Sequence, residues 1–289
     1  MTPYSKFILG TVQFGLNYGI NNINGKPSED NVFETFNYAF NNGIKTLDTA
    51  DAYGNAYELI GKFHRLSNNQ FNINTKFICD GSIDIQNQLD NSLKLLAVNS
   101  INVYFYHRYA DILNYKDSLT TILKLKSAKL VNKIGVSVYS NIELKSAIEN
   151  DEIDCIQLPF NLLDNNYQRA ELLRKAKSRN KEIQVRSVFL QGLFFTDINS
   201  YPHYLLPLKK YVLELKDIAE KSKKSIEELA LGYVLSENII DNVLIGVDNK
   251  TQLQNNIINA ALSLDKETKV KIDSIAVHET ELLYPYNWK

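Results

Sequence analysis

The sequence has only two cysteines, Cys79 and Cys155, far apart in a chain of 289 residues. Neither belongs to a group of residues with metal-ligand spacing, so no metal site is predicted. Because isolated cysteines of this kind are typical of reducing compartments, we expect two reduced thiols in or near the core.

The chain also lacks a linker rich in proline, glycine or serine, a block of like charges and any low-complexity tract. Such segments normally mark domain boundaries. We therefore predict one domain over residues 1–289, with residues 263–289 forming a C-terminal tail over the active face.

The chain has no large excess of positive or negative charge, since its formal net charge is -1. This argues against a nucleic-acid partner and against a polybasic membrane patch. No apolar run is long enough to span a bilayer, and the residues before Phe7 are too few and too polar for a signal peptide. We expect a cytoplasmic protein that acts on a small molecule.

What the sequence does contain is a regular alternation of short apolar runs and amphipathic runs, typical of strands and helices. Eight strand-plus-helix units follow one another without interruption, and an additional helix is expected over residues 205–221. The predicted strands are 6–9, 44–47, 71–76, 101–106, 133–138, 154–158, 182–188 and 243–245; the predicted helices are 31–41, 56–65, 85–98, 119–130, 142–149, 167–179, 225–235 and 251–262.

Eight consecutive units favour a closed (β/α)8 barrel, the TIM-barrel architecture, over an open doubly wound sheet. The first turn, from Gly10 to Gly15, does not have the G-x-G-x-x-G spacing of a dinucleotide-binding Rossmann domain. The fold class predicted is therefore a single-domain α/β barrel.

Four polar residues stand at or just after predicted strands: Asp48, Tyr53, Lys76 and His107. The carboxyl ends of parallel barrel strands meet at one face, so these side chains should converge there. A nearby ammonium stabilises a phenolate, so Lys76 is expected to lower the pKa of Tyr53, with Asp48 as the counter-ion of Lys76. His107 could then donate a hydrogen bond to a substrate carbonyl oxygen.

Such a group of residues can orient and protonate a carbonyl, but it contains no nucleophile to attack the carbon. No catalytic cysteine, Ser-His pair or metal cluster fills that role. A hydride carrier would complete the chemistry.

With these residues in place, the chain resembles the aldo-keto reductase family, and in particular its bacterial, sugar-related members. The Asp48-Thr49-Ala50 to Tyr53-Gly54 run, Lys76 and His107 match the catalytic residues of that family in order. The similarity continues through almost the whole chain, in the segments 135–137, 157–164, 186–193, 245–246 and 252–256.

The resemblance implies roles for individual residues. Tyr53 would be the general acid, Lys76 and Asp48 the pair that tunes it, and His107 the group that orients the substrate. The residues implied in binding a nicotinamide cofactor are Gly10, Thr11, Ser137, Gln157, Arg186, Ser187, Gly246, Asp248, Gln252 and Asn256.

Three positions depart from the family pattern. Val138 replaces the Asn that commonly follows Ser137, and Arg186 replaces the aromatic residue that stacks on the nicotinamide. Asp248 lies where relatives often carry Ser or Arg near the 2′-phosphate of NADP(H). A carboxylate there would repel a phosphate and accept from a ribose hydroxyl, although Lys250 could offset it. The family norm makes NADPH the first expectation, with NADH possible because of Asp248.

Residues proposed to contact the substrate are Tyr18, Arg108 and Trp288. For Arg108 the alternative is a structural ion pair, and for the tail around Trp288 it is a frayed terminus. His64, His203 and His278 are expected at the surface.

The predicted function is reduction of an aldehyde or ketone, possibly on a sugar or sugar-derived compound. The alternative is a cofactor-bound sensor or regulatory subunit with little turnover. A metal-dependent barrel hydrolase is disfavoured because no His/Asp/Glu cluster has ligand spacing.

Overall fold

The structure is a computed structural model that describes residues 2–20, 22, 25–79 and 84–288. Met1 and Lys289, the first and last residues of the predicted domain, lie outside the described residues. Eight strands pair in parallel in the order of the sequence, and β1 pairs with β8 to close the barrel. The strands are Phe7–Gly10 (β1), Thr46–Asp48 (β2), Asn72–Phe77 (β3), Ile101–Tyr106 (β4), Val131–Ser137 (β5), Cys155–Pro159 (β6), Glu182–Arg186 (β7) and Asn242–Gly246 (β8).

Helices follow the strands. They are Val12–Gly15 (α1), Glu29–Asn41 (α2), Ala56–Leu66 (α3), Ile85–Leu96 (α4), Tyr109–Asn114 (α5), Lys116–Ser127 (α6), Asn141–Glu149 (α7), Asn166–Ser178 (α8), Lys209–Lys221 (α9), Ile226–Leu235 (α10), Lys250–Ala260 (α11) and Lys266–Asp273 (α12). The predicted single-domain (β/α)8 barrel is confirmed.

The helices begin where polar side chains can cap them. The side chains of Ser140 and Ser225 each accept a hydrogen bond from the backbone N–H of the glutamate three residues later. The glutamate side chain in turn accepts from the backbone N–H of the serine. These capping boxes satisfy backbone donors that would otherwise lack a partner at the helix start. On α2 the buried residues recur every three or four positions, so one face packs on the barrel.

The barrel interior has an apolar layer of Val103, Phe105 and Cys155. Gly135, opposite Phe105 in the strand register, leaves room for that ring, because a Cβ at this position would collide with it. Side-chain amides also bond to one another across the barrel: Asn102 donates to Asn74 at 2.8 Å, and Asn74 donates to Gln184 at 3.2 Å. Both cysteines are buried, as expected.

Several elements differ from the sequence prediction, and the short helices α1 and α5 are additional to it. The helix expected over 205–221 is a 3-10 segment, His203–Leu208, followed by α9, because Pro207 has no N–H to continue a regular helix. Strand β7 ends at Arg186 rather than 188, because Ser187 has a φ of 60°. The tail contains a further helix, α12, capped by the Asp265 side chain.

The prediction that His64 lies at the surface is wrong, since only 3% of the residue is exposed. Its Nδ1 lies 2.8 Å from the Leu96 carbonyl oxygen, and its Nε2 accepts from the Phe71 N–H at 3.2 Å. This pairing requires a neutral ring, and burial lowers the His64 pKa. His64 therefore joins α3 to the last residue of α4 and to the residue that precedes β3. His203 and His278 are exposed, as predicted.

Candidate active site

The four predicted catalytic side chains line one cavity of about 800 Å³ at the carboxyl ends of the strands. Asp48 is the last residue of β2, Lys76 lies next to the end of β3, and His107 directly follows β4. Tyr53 lies in the loop between β2 and α3. The parallel arrangement of the strands thus brings together residues that are far apart in sequence.

Tyr53 is held by two glycines. The loop from β2 packs directly on α1, and a Cβ on Gly15 would collide with the Tyr53 carbonyl oxygen. Gly54 has a φ of 56°, and its own Cβ would collide with the Gly15 carbonyl oxygen. Because only glycine fits both positions, the backbone on either side of the Tyr53 ring is fixed closely.

Lys76 and Asp48 form a buried ion pair, with side chains 3% and 4% exposed. Lys76 also donates to the Thr49 carbonyl oxygen at 3.1 Å. The second carboxylate oxygen of Asp48 accepts from Nε2 of Gln157 at 2.9 Å. An ammonium has three N–H donors, so one remains for a further acceptor on the cavity side.

The expectation that Lys76 lowers the Tyr53 pKa is not met in this structure. Burial raises the pKa of the phenol, and the Asp48 charge raises it further; Arg186 acts in the opposite direction. The Lys76 nitrogen is 5.4 Å from the centre of the Tyr53 ring, but its charge is compensated by Asp48. Tyr53 is therefore protonated at neutral pH.

The His107 ring lies edge-on to Tyr53, with ring centres 6.4 Å apart. Burial lowers the pKa of His107 to about 4, and the charges of Lys76, Arg186 and Arg108 act in the same direction. The ring is thus neutral at physiological pH and keeps one N–H donor and one acceptor nitrogen.

Arg186, at the end of β7, lies with its guanidinium carbon 4.0 Å from the centre of the Tyr139 ring. It donates a hydrogen bond to the Val138 carbonyl oxygen at 3.3 Å. Among the described residues, no carboxylate is within ion-pair distance of it. On the other side, Tyr139 contacts two tyrosines of the tail, Tyr284 and Tyr286, at ring-centre distances of 5.4 and 4.5 Å.

All ten residues predicted to bind the cofactor line the same cavity. It runs from the strand ends across β1 and β8 to the start of α10 and to α11. The lining includes Gly10, Thr11, Ser137, Gln157, Arg186, Ser187, Gly246, Asp248, Gln252 and Asn256.

The polar groups of this cavity suit a nicotinamide nucleotide. Two lining residues, Gln13 and Gln157, each have a buried Oε1 for which the described part of the chain supplies no hydrogen-bond partner. A buried acceptor without a partner is costly, and an amide N–H of a bound ligand would satisfy it. Ser137 adds a hydroxyl next to Gln157 in the strand register.

The three predicted substrate residues are separated. Tyr18 lines the cavity, and its hydroxyl accepts from Nε2 of Gln191 at 2.8 Å. Arg108 is outside the cavity lining and forms an ion pair with Asp111 at 2.9 Å. Trp288 is also outside it, partly buried against the core, with its indole N–H bound to the Leu282 carbonyl oxygen at 2.9 Å.

Several lining residues were missed by the sequence reasoning: Gln13, Tyr139, Gln191, Asn255 and Asn259. Tyr139 follows β5 closely, and the rule that located Lys76 and His107 could have found it. On α11, Asn255 lies three residues after Gln252 and Asn259 three residues after Asn256, so helical spacing was the available signal.

The described residues contain no group of three histidine, cysteine or acidic side chains that could hold a metal ion. No helix among them is both long enough and apolar enough to cross a membrane.

A barrel of this kind, with one large cavity and its polar residues at the carboxyl strand ends, belongs to the class of barrel enzymes that act on small molecules. The sequence model of the Aldo/keto reductase family matches residues 6–277, and the chain belongs to this family. It is an NAD(P)H-dependent oxidoreductase that reduces carbonyl groups.

Known proteins that are similar to this chain match most of its length. The chain is 23% identical over 282 residues to Aldo-keto reductase YhdN of Bacillus subtilis (strain 168), covering 87% of this chain and 85% of the relative. It is 23% identical over 287 residues to L-galactose dehydrogenase of Arabidopsis thaliana, covering 90% and 89%. The solved structure of a glycerol dehydrogenase from Gluconobacter oxydans superposes with a TM-score of 0.73 at 22% identity, covering 93% and 90%.

Proposed function

We propose that the protein reduces an aldehyde or ketone of a sugar or sugar-derived compound to the alcohol, with Tyr53 as the proton donor. The observation that carries this proposal is the position of Tyr53. Its ring is partly exposed to the cavity, and its hydroxyl holds its proton at neutral pH. The Lys76 nitrogen and the centre of the His107 ring lie 5.4 and 6.4 Å from the centre of the Tyr53 ring.

The proton moves from the Tyr53 hydroxyl to the carbonyl oxygen as that oxygen gains charge. An alkoxide is a stronger base than a phenolate, so the transfer is favourable despite the raised pKa of Tyr53. The remaining N–H of Lys76, whose nitrogen lies 5.4 Å from the centre of the Tyr53 ring, can donate to the tyrosinate that is left, and the Arg186 charge also favours it. Solvent then returns a proton to Tyr53.

His107 has the role of orienting the substrate. As a neutral ring it donates one hydrogen bond to the carbonyl oxygen without adding a further positive charge beside Lys76. With Tyr53 it gives the oxygen two donors, which together set the position of the carbonyl plane.

The cofactor supplies the hydride for the carbonyl carbon when it is bound. We propose that Ser137 and Gln157 hold the carboxamide of its nicotinamide, because the unpaired Oε1 of Gln157 can accept from an amide N–H. Arg186 takes the place of a stacking aromatic residue, and Tyr139 keeps its guanidinium in a fixed plane. Gly10, Thr11, Ser187 and Gly246 would then contact the cofactor along β1, β7 and β8.

A polyhydroxylated substrate is supported by the polar lining around the mouth of the cavity. The Tyr18 hydroxyl and the Gln191 amide are held together at the edge, and Asn22 also lines the cavity. Such groups exchange hydrogen bonds readily with sugar hydroxyls. The similarity to L-galactose dehydrogenase points in the same direction.

We further propose that the tail, residues 263–289, covers part of the mouth. The support is the contact of Tyr284 and Tyr286 with Tyr139. Tyr139 lines the cavity, and its ring packs against the guanidinium of Arg186. Arg108 has its own partner in Asp111, which favours a structural role over a substrate contact.

The proposal is tested by incubating the purified protein with reduced nicotinamide dinucleotide and a panel of carbonyl compounds. The panel contains aldoses, ketoses, oxidised sugar derivatives and simple aliphatic and aromatic aldehydes. Turnover should be highest on a polyhydroxylated member. Equal turnover of the simple aldehydes would contradict the sugar assignment, and tight cofactor binding without turnover of any compound would favour a sensor.

A further inference from the structure

The cavity is polarised along its length. The catalytic end has the Lys76–Asp48 pair and the uncompensated cation Arg186, whereas the far end carries the carboxylates of Asp248 and Glu227. Of the described residues that line the far end, on α10, α11 and the loop after β8, none is a lysine or an arginine. The other polar groups there are neutral: Ser225, Gln252, Asn255, Asn256 and Asn259.

The Asp248 carboxylate is held in place by two side-chain amides. Gln252 donates to Oδ2 at 3.1 Å, and Asn22 donates to Oδ1 at 3.5 Å. Gln252 also accepts from the Asp248 backbone N–H at 2.8 Å, which closes a reciprocal pair between loop and helix. Amide donors that could otherwise serve a bound anion are therefore directed at the carboxylate.

Lys250, which the sequence suggested could offset the Asp248 charge, has its ammonium group beside another helix. Its ammonium lies 2.7 Å from a carboxylate oxygen of Glu34 on α2, and it is not among the residues that line the cavity. In this position Lys250 forms its ion pair with Glu34 and none with Asp248.

We propose that Asp248 makes this protein select NADH over NADPH, contrary to the first expectation from the family. The inference rests on the proposed function, which sets the nicotinamide beside Tyr53 and so directs the adenosine half to the far end. A ribose with a free 2′-hydroxyl can donate a hydrogen bond to Asp248. A 2′-phosphate would bring two negative charges to an end of the cavity where the described lining residues include carboxylates and no lysine or arginine.

The test measures binding by isothermal titration calorimetry, without a carbonyl substrate. NADH and NADPH are titrated into the wild-type protein, Asp248→Asn and Lys250→Ala. Wild type should bind NADH more tightly by at least about tenfold, the size expected for one unfavourable charge contact near a protein surface. Asp248→Asn keeps the shape of the side chain and should reduce this ratio. Lys250→Ala, the matched control, should leave it unchanged.

The fragments 5′-AMP and adenosine 2′,5′-bisphosphate contain only the adenosine half of each dinucleotide. If the discrimination arises at the far end, 5′-AMP should bind more tightly than adenosine 2′,5′-bisphosphate. Raising the ionic strength should reduce the discrimination, because it screens a partly exposed charge. Tighter binding of NADPH by wild type, or an unchanged ratio in Asp248→Asn, would overturn this inference and leave the proposed function standing. Failure of both dinucleotides to bind would overturn the proposed function and this inference with it.

Discussion

Lys76 donates a hydrogen bond to Asp48 in a pair that is almost completely buried beneath Tyr53. Burial lowers the pKa of the Lys76 ammonium, while the Asp48 carboxylate opposes that change. The charge of the lysine is compensated within the pair, so the phenol of Tyr53 keeps a raised pKa. In the proposed reaction, Lys76 therefore acts on the tyrosinate formed during proton transfer, rather than by making Tyr53 a strong acid beforehand.

A first prediction concerns the buried pair of Lys76 and Asp48, whose replacement should affect stability and activity differently. Lys76→Met should reduce the free energy of unfolding by about 3–5 kcal/mol, because it leaves the Asp48 carboxylate buried without a cation. The double variant Lys76→Met/Asp48→Asn should recover most of this loss, since Gln157 can still donate to the amide oxygen. Both variants should be inactive, as measured by denaturant unfolding and by turnover. A double variant as unstable as the single one would contradict the role given to the buried charge.

A second prediction concerns His107 and pH. Its pKa is about 4 in the folded protein, below the ordinary value of 6.5, so the unfolded chain binds the additional proton between these values. Its contribution to stability should therefore be lost as the pH falls from 6.5 to 4. His107→Gln should weaken the pH dependence of unfolding in this window. NMR of labelled histidine should show a ring signal that titrates near pH 4 and is absent from the variant; titration of that signal near 6.5 would be inconsistent with the buried neutral ring.

A third prediction concerns the contact between Arg186 and Tyr139. A desolvated cation-aromatic contact is worth roughly 0.5–2 kcal/mol. Tyr139→Leu should weaken cofactor binding by a corresponding factor, while Tyr139→Phe, which keeps the ring, should bind as wild type does. Arg186→Met should lower the affinity for the cofactor, and Arg186→Lys should lower it to a similar extent, because an ammonium has no planar face. Equal affinities in Tyr139→Leu and Tyr139→Phe would show that the ring does not position Arg186 for the cofactor.

The tail provides a fourth prediction. Removing residues 284–289 deletes both tyrosines that contact Tyr139, and each aromatic pair contributes roughly 0.5–1.5 kcal/mol. The truncated protein should keep the barrel, judged by circular dichroism, and should show a higher KM for the carbonyl substrate. Tyr286→Phe, which keeps the ring contact, should retain the wild-type KM. An unchanged KM in the truncated protein would show that the tail does not contribute to substrate binding.

Much of the fold could be predicted because each strand and helix carries its own periodic pattern, and because eight such units in succession favour closure of a barrel. The same logic located Asp48, Lys76 and His107, since polar residues at parallel strand ends must share a face.

What could not be predicted are the contacts that depend on how distant segments pack. His64 follows a helical pattern that does not reveal the loops closing over it, and it is buried. Gln157 donates to Asp48 from the opposite side of the barrel, and Lys250 pairs with Glu34 on another helix. Sequence patterns brought Lys76 and Asp48 together because both stand at neighbouring strand ends, but they do not reveal partners on helices packed side by side, such as Glu34 for Lys250.

The central claim, that Tyr53 is the proton donor, is tested most directly by measuring turnover and cofactor binding together in Tyr53→Phe. The change removes one hydroxyl, while Gly15 and Gly54 still fix the backbone of the loop. Turnover should fall by about 10²–10⁴-fold, the usual contribution of general acid catalysis, and the dissociation constant of the cofactor should stay nearly unchanged. Tyr204→Phe, at an exposed tyrosine outside the cavity lining, should behave as wild type. Wild-type kcat in Tyr53→Phe would contradict the account.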